Sequence, residues 1–104
     1  MIDLRQIQDE VREWGRHNFP DAKPYYCLLG LQEELGELSR AHLKAIEGIR
    51  GGDQAADEKD AAGDIVIFLL HFSAMSGYNL ESIIKETWDH VKERDWKRNP
   101  KSGV

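Results

Sequence analysis

The residues with the clearest chemical potential are carboxylates, and they come in two groups. Glu33, Glu34 and Glu37 lie in Gln32-Glu33-Glu34-Leu35-Gly36-Glu37-Leu38; Asp57, Asp60 and Asp64 lie in Asp57-Glu58-Lys59-Asp60-Ala61-Ala62-Gly63-Asp64. On a helix, Glu34 and Glu37, or Glu33 and Glu37, are surface neighbours whose like charges repel. At 100° per residue Asp57, Asp60 and Asp64 fall within about 60° of one another, so they form a stripe as well. Glu34 and Glu37 flank Leu35 and Leu38, and Asp64 directly precedes the apolar run at 65–70, so both groups border apolar surface. If their helices pack antiparallel, the two groups can face each other. Carboxylates gathered at the edge of a core are tolerable when a cation or protons neutralise them. An all-carboxylate set selects Mg²⁺, with Mn²⁺ able to replace it, over zinc or copper. The competing reading is a solvated acidic face neutralised by cations such as Arg40, Lys44 and Lys59. A di-iron helical site is excluded, because none of His17, His42, His71 and His90 has a Glu three residues before it.

Four helices are expected to carry these groups. Leu4, Ile7, Val11 and Trp14 recur at helical spacing over about residues 3–18, and Pro20 and Pro24 bracket the turn that follows. Leu28, Leu31, Leu35 and Leu38 continue the pattern in a long second helix, broken by Gly48 and the Gly51-Gly52 pair. Asp53 can cap a third helix, apolar on every side at Ile65-Val66-Ile67-Phe68-Leu69-Leu70 and stopped by Gly77. Periodicity alone also allows a strand at 65–70, but the run continues through Phe72, Ala74 and Met75 without a turn residue, which favours helix. Asn79 can cap a fourth helix bearing Leu80, Ile83, Ile84, Thr87, Trp88 and Val91, and residues 94–104 form an irregular, basic tail. The expected architecture is all-α, a four-helix bundle. The third helix reads as its enclosed member, and enclosing it on every side calls for a homo-oligomer, most simply a two-fold dimer.

The composition narrows the function classes. The 104 residues make one domain, spanning 1–104, with 40% hydrophobic and 32% charged residues. A net charge of −5 disfavours generic binding to nucleic acid or anionic lipid. A DNA-reading helix is also disfavoured, because the fourth helix mixes Lys85 and Lys92 with Glu81, Glu86, Asp89 and Glu93. The longest apolar run is far short of the ~20 residues that cross a bilayer, and the first residues have no apolar signal core, so a cytoplasmic protein is expected. The single Cys27 reads as a small buried hydrophobe.

Taken together, Glu33-Glu34-Leu35-Gly36-Glu37, a glycine-containing break and Gly63-Asp64 leading into an apolar helix resemble the MazG-like nucleotide pyrophosphohydrolases of the all-α NTP pyrophosphatase superfamily. The likeness covers nearly the whole chain and implies Mg²⁺-dependent hydrolysis of nucleoside triphosphates, dNTPs in particular, to monophosphate and pyrophosphate in house-cleaning or pool control. The family pattern is Glu-Glu-x-x-Glu followed by Glu-x-x-Asp. The first half is complete here; in the second, Asp64 matches the final acid while Ala61 stands where a Glu is expected, with Asp60 one position earlier. Either Asp60 replaces that ligand or the site has lost metal affinity. The resemblance implies Glu34, Glu37, Asp60 and Asp64 as metal ligands, Glu34 as the base that takes the proton from water, and Glu33 as a further acid. It also implies Lys92, Arg94, Trp96 and Lys97 as contacts to substrate, although the family's Lys-x-x-x-Asn spacing is occupied by His90 and Arg94. Lys92, Arg94, Lys97, Arg98 and Lys101 put five of the fourteen basic residues in ten positions. Trp14, His17 and Asn18 are base contacts by family position, with core packing and an exposed helix end as the plainer alternatives. The 48–53 loop, with Ile49 and Arg50, is expected to shape the pocket. A homodimer or homotetramer is implied. The alternative is a non-catalytic helical dimer that binds nucleotides or a protein partner through a degenerate metal site.

Overall fold

A computed structural model describes residues 2–48 and 51–104; Ile49 and Arg50, expected to help shape the pocket, lie outside the described residues. The chain is all-α. Four helices follow in order, α1 (Leu4–Asn18), α2 (Pro24–Glu47), α3 (Gln54–Ser76) and α4 (Leu80–Val91), with no strand among the described residues. The ends have local causes. The carboxylates of Asp3 and Asp53 and the amide oxygen of Asn79 accept from the backbone N–H three residues on, at 3.1, 3.1 and 3.3 Å. Each such cap satisfies an otherwise orphaned donor and contributes about 1 kcal/mol. Pro24 takes the first position of α2, where its missing N–H costs nothing. Gly48 and Gly77 close α2 and α3 at φ of 66° and 76°, a left-handed conformation that a Cβ would strain.

α2 and α3 form an antiparallel hairpin. His42 meets Glu58 at 2.8 Å near its closed end, the Phe68 ring covers Gly30 farther along, and Cys27 Sγ lies 3.8 Å from Met75 Sδ toward the open end. A Cβ at Gly30 would collide with the Phe68 ring, so the glycine sets how closely the helices approach. Ala41 and Ala61 are both buried on this pair of helices, where small side chains allow the same approach. α1 crosses α3 where Gly15 lies against the imidazole of His71. Val11, Leu70 and Leu80 form the core there, with Leu4 and Ile7 packed over it. The buried Gln8 side chain ties the α3–α4 turn to α1, donating to the Tyr78 carbonyl at 2.7 Å and accepting from Leu80 N–H at 3.0 Å.

The helices do not close into a bundle within one chain, which corrects the expectation. α2 packs chiefly on α3, and α1 bridges α3 and α4. α4 turns off α3 by 111°, and beyond Leu80 its side chains are exposed, Asp89 excepted. Within one chain α3 packs chiefly on two helical neighbours and keeps apolar surface open, with Val66 46% and Ile67 40% exposed. The radius of gyration is 17.0 Å, against about 13 Å for a compact chain of this length. The exposed surface is 8097 Å², against about 6,000 Å² for a compact monomer of this mass.

Residues 92–104 contain no helix, as expected, but fold back on themselves rather than trailing free. Asp95 N–H donates to the Gly103 carbonyl at 2.7 Å and Gly103 N–H to the Asn99 carbonyl at 2.8 Å. The Trp96 ring covers Gly103, which sits at φ 74°. Among the described residues no single helix is long and apolar enough to cross a membrane.

Candidate functional site

The hairpin register brings the two acidic groups to one cleft. Glu34 and Glu37 from α2 and Asp57, Asp60 and Asp64 from α3 line a cleft of about 380 Å³, together with Ala41, Ala61, Arg40 and Lys44. Of the acids expected to hold a metal, all four are therefore on the same side of the protein, facing one space. Glu33 does not line it, although its charge acts on Glu34.

Glu34 is the most perturbed acid of the set. Its carboxyl is held above the ordinary range first by desolvation, then by a hydrogen bond to Glu37 and by the charges of Glu37, Asp64 and Glu33. Its Oε2 is shielded from solvent and has no hydrogen-bond partner. A buried carboxylate oxygen without a donor is costly unless something positive meets it. Arg40 and Lys44 stand in the cleft, yet neither forms an ion pair with these acids among the described residues, and Lys59 forms none either. The local cations thus share the cleft without closing a direct ion pair on its acids. The donor set, all carboxylate with one orphaned oxygen, suits a hard divalent cation. Among the described residues no three of these side chains converge closely enough to form a metal-holding group on their own. Mg²⁺ tolerates this because it keeps several waters and takes further oxygens from substrate phosphates.

Ala61, where the family pattern has Glu, is 3% exposed and lies at the base of the cleft. Asp60 opens into the same space, so a carboxylate is still supplied one residue earlier.

A second cavity adjoins the first through Asp64, which lines both. It measures about 440 Å³ and is walled by Trp14, Phe19, Ala22, Tyr26, Cys27, Ile67, Phe68 and His71. Trp14 stands edge-on to Phe19 at 5.5 Å and to His71 at 6.4 Å. Trp14 is 52% exposed, so it is a cavity wall and not a core residue. Asn18 is not part of this cavity; its amide donates to the Trp14 carbonyl at 2.9 Å within the last turn of α1. His17 is exposed and also outside it. Cys27 is 2% exposed, and burial pushes its thiol above the ordinary value, so it packs as a hydrophobe and is a poor nucleophile.

The basic residues of the tail are not brought to either cavity within one chain. Lys92 pairs with Asp89 at 3.2 Å, and neither Arg94, Trp96 nor Lys97 lines the acidic cleft or the aromatic cavity. Sequence reasoning treated Arg40 and Lys44 only as neutralisers. Their spacing of three and seven residues after Glu37, on the same helix face, was the signal that they share its cleft. Phe19, Tyr26, Phe68 and His71 were not singled out either, because no local pattern links residues that meet only through the fold.

The chain matches no family model, no curated protein and no solved structure.

Proposed function

We propose that the protein is a Mg²⁺-dependent nucleoside triphosphate pyrophosphohydrolase of MazG-like type. The observation that carries the reading is the convergence of Glu34, Glu37, Asp60 and Asp64 on one cleft that runs, at Asp64, into an aromatic cavity. An acidic cleft takes the metal-bound phosphates, and flat aromatic walls take a nucleobase. When bound, Mg²⁺ neutralises triphosphate charge and lowers the pKa of a coordinated water. Glu34, Glu37, Asp60 and Asp64 would hold it from two helices. Glu34, the acid of the set shielded from solvent on one oxygen, is placed to take the proton from the attacking water. Glu33 adds to the field that raises the Glu34 pKa. Arg40 and Lys44, unpaired at the cleft, bind phosphate oxygens and the departing pyrophosphate. Trp14 stacks on the base.

The working unit in this proposal is a dimer, with a tetramer as a further pairing. The protomer exposes roughly 2,000 Å² more than a compact chain of its mass, and Ile83, Ile84, Trp88 and Val91 on α4 are partly exposed. Burying that excess against a second copy gives an interface in the class of obligate dimers. Lys92, Arg94, Trp96 and Lys97 reach substrate in this scheme only from the partner.

A second reading has its own support. Ala61 in place of an acid, with no preformed metal-holding group among the described residues, also suits a non-catalytic dimer that binds nucleotides or a protein partner. Incubation with a panel of dNTPs and Mg²⁺ separates the two. Release of pyrophosphate, reduced by orders of magnitude in Glu37→Gln while helicity is kept, supports catalysis. A folded sample that turns over none of the panel, and whose thermal midpoint does not respond to Mg²⁺, leaves the binding module.

A further inference from the structure

Resting on the nucleotide reading above, we infer that His71 reads the nucleobase, as the imidazole in a largely apolar, aromatic-walled slot. His71 is 8% exposed and lines the aromatic cavity; the ring stands edge-on to Trp14 and against Gly15, and no hydrogen bond engages either ring nitrogen among the described residues. A ring nitrogen that opens on a cavity and that no protein group engages is free to pair with a ligand. Burial also pushes its pKa below the ordinary value, so the ring is neutral near pH 7 and offers one N–H donor and one acceptor.

Its position suits the role. The crossing of α1 over α3 holds the ring, since the Gly15 backbone lies so close that a Cβ there would collide with Nε2. On α3, Asp64 and His71 are seven residues apart, two turns of one helix and about 10 Å. That separation places a phosphate-binding acid at one end and a base reader at the other. Other polar groups at this cavity are Asp64 at the shared mouth, the Tyr26 hydroxyl and the buried Cys27 thiol. Walls of Trp14, Phe19, Tyr26 and Phe68 accept any flat heterocycle, so stacking alone discriminates little. Discrimination falls first to the imidazole, because a bound base that covers the ring nitrogen without pairing with it strips that nitrogen of water and gives nothing back.

The test is equilibrium binding of the four α,β-imido dNTPs and of inorganic tripolyphosphate, each with Mg²⁺, to the wild-type protein and to His71→Phe and His71→Gln. Wild type is expected to bind its best base about tenfold or more tighter than its worst. His71→Phe should collapse that spread while leaving tripolyphosphate affinity unchanged, and His71→Gln should restore part of it. Independently of any variant, the ¹⁵N resonances of the His71 ring should shift with the preferred nucleotide and not with tripolyphosphate. An unchanged base ranking in His71→Phe, or ring resonances indifferent to nucleotide, overturns the assignment. Binding of tripolyphosphate without any gain from a base defeats this inference alone. Failure of tripolyphosphate itself to bind defeats the reading of the acidic cleft as well.

Discussion

Replacing Trp88 by Ala should dissociate the dimer proposed for this chain. Trp88 is 57% exposed on α4, where Leu80 is the buried residue. With about 250 Å² for a large aromatic side chain, the uncovered part is roughly 140 Å². Burying it against a second copy contributes ~3.5 kcal/mol at ~25 cal/mol per Å². A two-fold interface uses the residue twice, so Trp88→Ala removes ~7 kcal/mol, or about five decades in the dissociation constant. Sedimentation equilibrium reads this directly: wild type at micromolar concentration should run at twice the 11.9 kDa chain mass and the variant at once. The wild-type thermal midpoint should also rise with concentration. A wild type that sediments at single-chain mass with a concentration-independent midpoint refutes the reasoning, as does a variant that stays dimeric.

Three further outcomes are expected. Asp60→Asn should raise the Mg²⁺ concentration needed for half-maximal turnover, and an unchanged Mg²⁺ dependence would show that Asp60 does not stand in for the acid missing at Ala61. Gln8→Ala strips the Tyr78 carbonyl and the Leu80 N–H of their side-chain partner; chemical denaturation should report a loss of about 1–3 kcal/mol. A third outcome concerns pH. Burial lowers the His71 pKa, so between that value and 6.5 the unfolded chain binds more protons than the folded one. Stability then rises with pH through this window and is lost as pH falls through it. Arg12, Arg16 and Asp64 line the cavities around the ring, and burial is the cause of the shift. The difference in stability between wild type and His71→Gln should therefore shrink or reverse on acidification from pH 7 to 5, and a pH-independent difference would contradict it.

What the chain reveals before folding is local. Asp3, Asp53 and Asn79 as caps, Pro24 as a start, and Gly48 and Gly77 as stops are read from nearest-neighbour chemistry and occupy those positions. The acidic groups were legible for the same reason, since each sits on one helix and a short loop forces the two helices antiparallel. The aromatic cavity was not, because Trp14, Tyr26 and His71 belong to three helices whose approach depends on Gly15 and Gly30. Nor was the openness of the protomer. An apolar stretch such as residues 65–70 has the same composition whether its own chain or another copy covers it. The closure of the tail by Trp96 on Gly103 likewise depends on a contact seven residues apart with no helical or strand period behind it.

The claim that acids of α2 and α3 jointly hold a divalent ion with a nucleotide is tested most directly by counting bound Mn²⁺. The loss of the free-ion paramagnetic signal would be followed in the presence of an α,β-imido dNTP, for wild type, Glu34→Gln and Asp64→Asn. At least one ion bound per chain in wild type, weakened by either substitution although the two lie on different helices, is the expected result. Mn²⁺ left free by the wild type, or retained undiminished by both variants, would contradict it.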